Sequence, residues 1–408
     1  MWIQRSISET IQGAFAQFPV LVLTGQRQAG KTSLVRNLFP QADYVTFDIP
    51  REAETARLDF AAFLSAHREP LIIDEVQYVP EVLRHLKAVV DQDRRPGRFI
   101  LTGSQDFNVM EGVTESLAGR CAVLSLPTLS LEELYAHATL GEVDRFCWRG
   151  GHPELWQRPE LDRELWLGSY VATYLERDVR NTLNVGSLRD FDRFLRAAAL
   201  RAGQLLSFSE LARDVGITPN TARSWVSILE ASRQLFLLEP YHVSAGKRLI
   251  KSPKLYFWDT GLLTYLLGFR DWGAVVQNPT WGAVWENLVI CEIHKHFINQ
   301  GKRPPCWFWR TVQGQEVDLL IETGPKQFIA IECKTGVNAE PRFLKGIAAL
   351  EKAYGIEAVT RGAIVCRTEV AVPLSELGRF AAIPLTEVHS LCDTAGHIDA
   401  LPRPGEQP

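Results

Sequence analysis

Lys31 is the penultimate residue of the run GQRQAGKT, residues 25–32, which fits G-x-x-x-x-G-K-[ST]. Glycines at both ends let the main chain wrap a phosphate with its N–H groups, and a helix N-terminus behind them adds positive potential. Gly25, Gln26, Arg27, Gln28, Ala29 and Gly30 would form that cradle, with Ser33 on the helix behind it. Lys31 would reach the β- and γ-phosphates and Thr32 would ligate Mg²⁺. A second pattern, LIIDE at 71–75, sets two acids at the end of an apolar strand. There Asp74 would complete the Mg²⁺ shell and Glu75 would orient the attacking water. RFILTGS, 98–104, is another strand with a polar end, so that Ser104, or Thr102, could touch the γ-phosphate or its water.

A third pattern lies far downstream in QEVDLLIETGPKQFIAIECKTG, residues 315–336. Two strands around Gly324-Pro325 would bring Asp318 opposite residue 331 or 332. Residues two apart on a strand share a face, so Glu332 and Lys334 point the same way. Glu286, on an upstream apolar helix, would need a partner for an inward carboxylate. Two chemistries suit this set. In one, Asp318, Glu332 and the Cys333 carbonyl share a divalent ion, and Lys334 orients a water. Oxygen ligands favour Mg²⁺ or Mn²⁺ over zinc. In the other, the same residues are an ion-pair cluster that holds an interaction domain together.

The elements that must position these residues follow from the apolar rhythm. Runs at 18–25, 44–49, 70–76, 98–103 and 122–129 alternate with helical patterns, as in an open parallel sheet with helices on its faces. From about 130 to 200 the pattern is helical, and residues 162–183 make the longest candidate. At 205–241 the texture is helix-turn-helix: Ser209 is the expected cap of the first helix, Gly216 its end, and Thr218-Pro219 the start of the second. LFLLEPY and KLYFW would pair as a hairpin, and its connection carries Lys247, Arg248 and Lys251, with Lys254 just beyond. A basic wing beside a helix exposing Thr218, Asn220, Arg223 and Ser224 is a candidate DNA contact, although the same module also serves protein docking. The expected boundaries are a P-loop core at 1–135, a helical lid at 136–200, a winged helix at 201–260, a last α/β domain at 275–395 and a disordered tail at 396–408.

With 408 residues and a net charge of only −4, the chain carries no global field that argues for nucleic acid, so any basic footprint must be local. Seven cysteines with no CxxC pair point to reduced thiols in a cytoplasmic protein. No signal peptide and no membrane span are expected, because no run of eighteen apolar residues occurs.

GQRQAGKTSL, LIIDEVQ, LTGSQ and SLAGR together resemble the AAA+ ATPases that carry a C-terminal domain of unknown function. FWDTGLL, VWENLV and EVDLLIE with AIECK resemble that C-terminal partner, so the likeness spans roughly residues 15–395. It implies an α/β fold, ATP and Mg²⁺ as cofactors, and a homo-oligomer, with a hexamer one form open to it. It also makes Arg120, or else Arg177, the candidate for completing a neighbour's ATP site. Glu286, Asp318, Glu332 and Lys334 resemble the site of the restriction-endonuclease-like nucleases, E-x-K included. The expectation is an ATP-hydrolysing protein that binds duplex or branched DNA and processes it. The rival is an ATP-driven regulatory switch whose last domain binds protein partners without cutting.

Overall fold

The computed structural model describes residues 2–103, 116–175, 188–241, 251–375 and 378–393. The expected tail at 396–408 lies outside them, as do Ser104, Arg177, Lys247 and Arg248. Five apolar runs form the first sheet: β1 Val20–Gly25, β2 Asp43–Thr46, β3 Leu71–Asp74, β4 Phe99–Thr102 and β5 Cys121–Leu126. All pair in parallel in the order β2-β3-β4-β1-β5. Strands covered on both faces need apolar residues at every position, and β1 is buried along its whole length. Val20, Val22, Ile73 and Leu101 pack on one face with Leu83, Leu86 and Val90. On the other, Leu21, Leu23, Ile72 and Ile100 meet Leu34, Val35, Ile7 and Ile11. Each such side chain contributes roughly 1.5–3 kcal/mol by leaving water.

The expected long helix at 162–183 differs in form. A helix runs over Arg163–Tyr170 and widens into π-type turns at Val171–Leu175, and the residues beyond are not described. Helices Phe208–Val215 and Pro219–Ala231 follow, joined through Gly216 at φ 84°. The first is capped by Ser207, not Ser209, because Ser207 lies three residues before Glu210, whose N–H it accepts at 3.4 Å. Thr218 caps the second by accepting the Thr221 N–H at 3.1 Å. Strands β6 Leu235–Leu238 and β7 Lys254–Phe257 then pair antiparallel.

Helix Trp281–Asn299 leads into a second sheet made of β8 Cys306–Arg310, β9 Glu316–Gly324, β10 Gln327–Cys333, β11 Val359–Val365, β12 Val372–Pro373 and β13 Phe380–Ile383. Its order is β12-β13-β11-β10-β9-β8, with β10–β11 and β11–β13 parallel and the other pairs antiparallel. One apolar cluster joins the helical region to β6, β7, helix Trp281–Asn299 and this sheet, through Phe194, Trp225, Trp258, Leu288 and Ile331. No helix among the described residues is long and apolar enough to cross a membrane, and all seven cysteines are free thiols.

Candidate functional site

The loop between β1 and helix Lys31–Leu38 starts where β1 runs against β5. A side chain at Gly25 (φ 145°) would collide with the Leu126 carbonyl, 2.3 Å from its Cβ. Gly30 takes the left-handed region at φ 95° as the helix N-cap, open to glycine at little cost. Lys31 is buried and curls onto the loop itself, donating to the Gly25 and Gln26 carbonyls at 3.0 and 3.1 Å. Burial lowers its ammonium to about 8, against the pull of Glu75 and Asp74. The loop is also tied from outside: Arg5 donates to the Ala29 and Pro127 carbonyls at 2.9 and 2.8 Å and pairs with Glu133 at 3.1 Å. Nothing local in the sequence marks Arg5 for this place. Ser33 is exposed, and Arg27 and Gln28 are half-buried.

Asp74, at the end of β3, gathers hydroxyls. Thr32 donates to both of its oxygens at 3.0 Å and Tyr44 donates at 2.9 Å, while Thr102 contacts it from β4. A hydroxyl and a carboxylate so close are the hard oxygen donors that Mg²⁺ takes, so these residues fit that ion. Glu75 follows in the left-handed region at φ 56° and accepts from the Gln77 amide. Burial pushes its carboxyl above the ordinary range. Ser104 lies outside the described residues, so only Thr102 represents that strand end here.

Beside the loop, a buried amide network reaches across the molecule. The Gln26 side chain donates to Gln234 Oε1 at 3.0 Å and to the Tyr170 hydroxyl at 3.4 Å, and Gln234 donates to the same hydroxyl at 3.0 Å. Arg120 lies at the other end of the sheet: Val20 pairs with Cys121, and the phosphate loop begins five residues further along β1. At about 3.3 Å per residue that is roughly 17 Å away. Arg120 makes two bonds to Asp91, 2.7 and 2.9 Å, and pulls that carboxyl down to about 2. Arg120 therefore does not serve the loop of its own chain.

In the second sheet, Ile331 pairs with Leu319, a register that sets Asp318 beside the end of β10. Its carboxylate accepts the Cys333 N–H at 2.8 Å and lies 3.5 Å from the Lys334 ammonium, which meets Glu332 at 2.8 Å. Glu332 is buried, and its Oε1 has no hydrogen-bond partner among the described residues. Burial first, then the Asp318 charge, pushes its carboxyl up to about 8. Glu286 reaches the same cluster from helix Trp281–Asn299, and burial and Asp318 raise its carboxyl too. Its oxygen accepts from Tyr256 at 2.6 Å and from Lys254 at 3.0 Å. Lys254, counted above with the basic connection, is thus no wing cation. It is buried, and it pairs with Glu316 as well as Glu286, two carboxylates that offset the cost of taking its ammonium out of water. Glu316 also binds Arg310 at 2.9 Å. The sequence reading set Lys254 beside the basic connection and did not single out Tyr256 or Glu316, of which only Glu316, at period two from Asp318 on one strand face, could have been signalled.

The donors are oxygens, as Mg²⁺ or Mn²⁺ would need, but as arranged they do not fit a metal. Two ammonium groups and a guanidinium already hold them, and among the described residues no three His, Cys, Asp or Glu side chains are grouped to bind a metal ion. On helix Pro219–Ala231, Asn220 and Arg223 are exposed and so is the capping Thr218, whereas Ser224 is half-buried rather than exposed. Lys251 is exposed, and Lys247 and Arg248 lie outside the described residues.

Three family models match the chain: an AAA domain over residues 17–135, a domain of unknown function (DUF8612) over 140–272, and another (DUF4143) over 281–388. The chain therefore carries an AAA-type ATPase domain, which binds nucleotide. Among relatives, it is 32% identical to the uncharacterized protein Rv2008c of Mycobacterium tuberculosis, over 98% of this chain and 86% of that one. With the uncharacterized protein MJ1637 of Methanocaldococcus jannaschii, the identity is 24% over 48% of this chain and 41% of the relative. Among solved structures, the Walker-type ATPase paby2304 of Pyrococcus abyssi is similar at a TM-score of 0.43 and 16% identity, over 65% of this chain and 96% of that one. AMPPCP-bound DnaA from Aquifex aeolicus gives a TM-score of 0.27 and 12% identity, over 55% and 85%. By its likeness to the mycobacterial protein and by its matched domains, the chain belongs to the family of proteins that carry an AAA domain and a DUF4143 domain.

Proposed function

We propose that this chain is an ATP-driven, DNA-associated machine in which the phosphate loop turns over ATP and the later domains engage nucleic acid. The observation that carries the ATPase part is the meeting of Thr32 and Asp74 at 3.0 Å beneath the Gly25–Lys31 loop, with Glu75 next along the chain. In this reading the loop amides from Gly25 to Gly30 hold the phosphates. Lys31 leaves the loop carbonyls for the β- and γ-oxygens, and Thr32 and Asp74 hold Mg²⁺. Bound Mg²⁺ supplies charge neutralisation on those oxygens. Glu75, its carboxyl raised by burial, takes a proton from the attacking water. Arg120, far from its own loop, serves a neighbouring copy in a homo-oligomer, where release from Asp91 would free both arms of its fork.

For the later domains we propose the boundaries 136–200 for a lid, 201–260 for a winged helix and 275–395 for a nuclease-like domain. Exposed Asn220 and Arg223, together with the basic run Lys247, Arg248 and Lys251 in the sequence, support DNA as the partner. The test is a reversal of Lys247, Arg248 and Lys251 to Glu. DNA binding at low salt should weaken, its salt slope should flatten, and any stimulation of ATP turnover by DNA should disappear. Unchanged binding would remove DNA from the reading.

A second reading draws on the lysine pairing around Asp318, Glu332 and Glu286. A cluster that already carries its own cations suits a regulatory switch whose last domain binds protein partners without cutting. Nicking of supercoiled or branched DNA that Lys334→Ala abolishes would decide for the nuclease. Loss of thermal stability without nicking in any variant would decide for the switch.

A further inference from the structure

Lys254 opens β7 and is 2% exposed. Its ammonium lies 3.0 Å from Glu286 Oε1, contacts Glu316 and sits 5.5 Å from the centre of the Phe308 ring. Burial alone would lower its pKa, yet Glu286, Asp318 and Glu316 together raise it. Its carboxylate partners come from two elements, Glu286 from helix Trp281–Asn299 and Glu316 from β9. The carboxylates continue past it to Asp318 and Glu332, where Lys334 bridges the pair. Four carboxylates (Glu286, Glu316, Asp318 and Glu332) thus face the three cations Lys254, Lys334 and Arg310. One buried oxygen of the cluster, Glu332 Oε1, has no hydrogen-bond partner among the described residues. The place offers oxygen donors only and a buried acceptor with no hydrogen-bond partner among the described residues, which suit a hard divalent ion once an ammonium leaves. It is also sealed by an ammonium that no local pattern puts there.

We infer that Lys254 is a built-in counter-ion that stands in for a divalent cation at this cluster, so that such an ion enters only by displacing it. The inference rests on the nuclease-like reading of the C-terminal domain and gives that reading its control point. Lys254 is a positioning residue here: it fixes Glu286 and Glu316 and excludes the ion, and no reaction step passes through it.

The test uses the full chain without nucleotide and Mn²⁺ as the probe, read by electron paramagnetic resonance of free Mn²⁺ and by the shift of the melting midpoint. Wild type should show no Mn²⁺ site that depends on Asp318. Lys254→Met should gain one, at least tenfold tighter than any wild-type binding, and adding Asp318→Asn should abolish it. Because removing one buried cation can unfold the chain, the variant K254M/E286Q, which loses one charge of each sign, is titrated as well. It should gain the same site, since Asp318 and Glu332 are untouched. If wild type binds Mn²⁺ through Asp318 as tightly as both variants do, the inference is wrong and the nuclease-like reading stands. If no variant takes Mn²⁺ through Asp318, the reading falls and the inference falls with it.

Discussion

Gln26, the second residue of the phosphate loop, donates its side-chain amide to Gln234 at 3.0 Å across 208 residues of chain. Both are almost fully buried, and the Tyr170 hydroxyl completes the contact. Gln234 directly precedes β6, so the hairpin and the nucleotide loop share one set of hydrogen bonds. Replacing Gln234 by Ala leaves the Gln26 amide and the Tyr170 hydroxyl buried with fewer partners, a cost of about 1–3 kcal/mol. The expected outcome is a lower melting midpoint and a severalfold weaker affinity for an ATP analogue. An analogue-induced shift in midpoint equal to that of wild type would break the proposed link.

Within the loop, two substitutions should separate binding from turnover. Lys31→Ala should lose nucleotide binding, because Lys31 is the loop cation assigned to the β- and γ-phosphates in this reading. Glu75→Gln should bind as well as wild type and turn over at least a hundredfold more slowly. Wild-type turnover by Glu75→Gln, measured as phosphate release, would remove Glu75 from the mechanism.

Burial of Lys31 also predicts a pH dependence. Burial holds its ammonium down at about 8, below the ordinary lysine value, and phosphates select the charged form. The sign follows: affinity is flat below pH 8, where Lys31 is already charged. Above pH 8 each further unit requires a proton to be taken up, and affinity falls by up to about tenfold per unit. Titration calorimetry in two buffers of different ionisation heat should show proton uptake at pH 8.5 and little at pH 6.5. Equal apparent enthalpies in both buffers at pH 8.5 would contradict the prediction.

Arg120 and its partner Asp91 predict a dependence on assembly. Since Arg120 lies at the strand end opposite its own loop, Arg120→Ala should bind nucleotide normally and lose turnover. Mixing it with Glu75→Gln protein should restore part of the rate, because some junctions pair an intact Glu75 with an intact Arg120. Full activity of dilute monomers, checked by sedimentation, would exclude a role in trans.

How far the sequence reached can be judged residue by residue. The first sheet was legible because each of its strands is a short apolar run bounded by polar or turn residues, and β1 through β5 lie in the runs expected for them. The β9–β10 hairpin followed from Gly324-Pro325, which fixes the register locally. β12 and β13 were missed: one is two residues long and the other, FAAI, has too few branched or aromatic residues to stand out. Lys254 was misplaced for a deeper reason. Its burial depends on Glu286 and Glu316, 32 and 62 positions away, and a periodic pattern carries no record of such partners. Arg5 and Gln26 are alike in this respect: each is an ordinary surface type whose place is set by groups the chain meets only after folding.

The shared apolar cluster bears on how the molecule comes apart. Phe194, Trp225, Trp258, Leu288 and Ile331 belong to stretches that the sequence divides at about residues 200 and 260, yet they lie in one core. The Phe257 main chain gives its N–H to Asn287 at 2.8 Å and takes the Asn287 amide in return, also at 2.8 Å, so one side of the second division finishes the hydrogen bonding of the other. Lid, hairpin and second sheet should therefore melt together as one cooperative unit. A fragment cut at residue 260 would carry an open apolar wound, with Trp258 losing the His294 ring that packs against it.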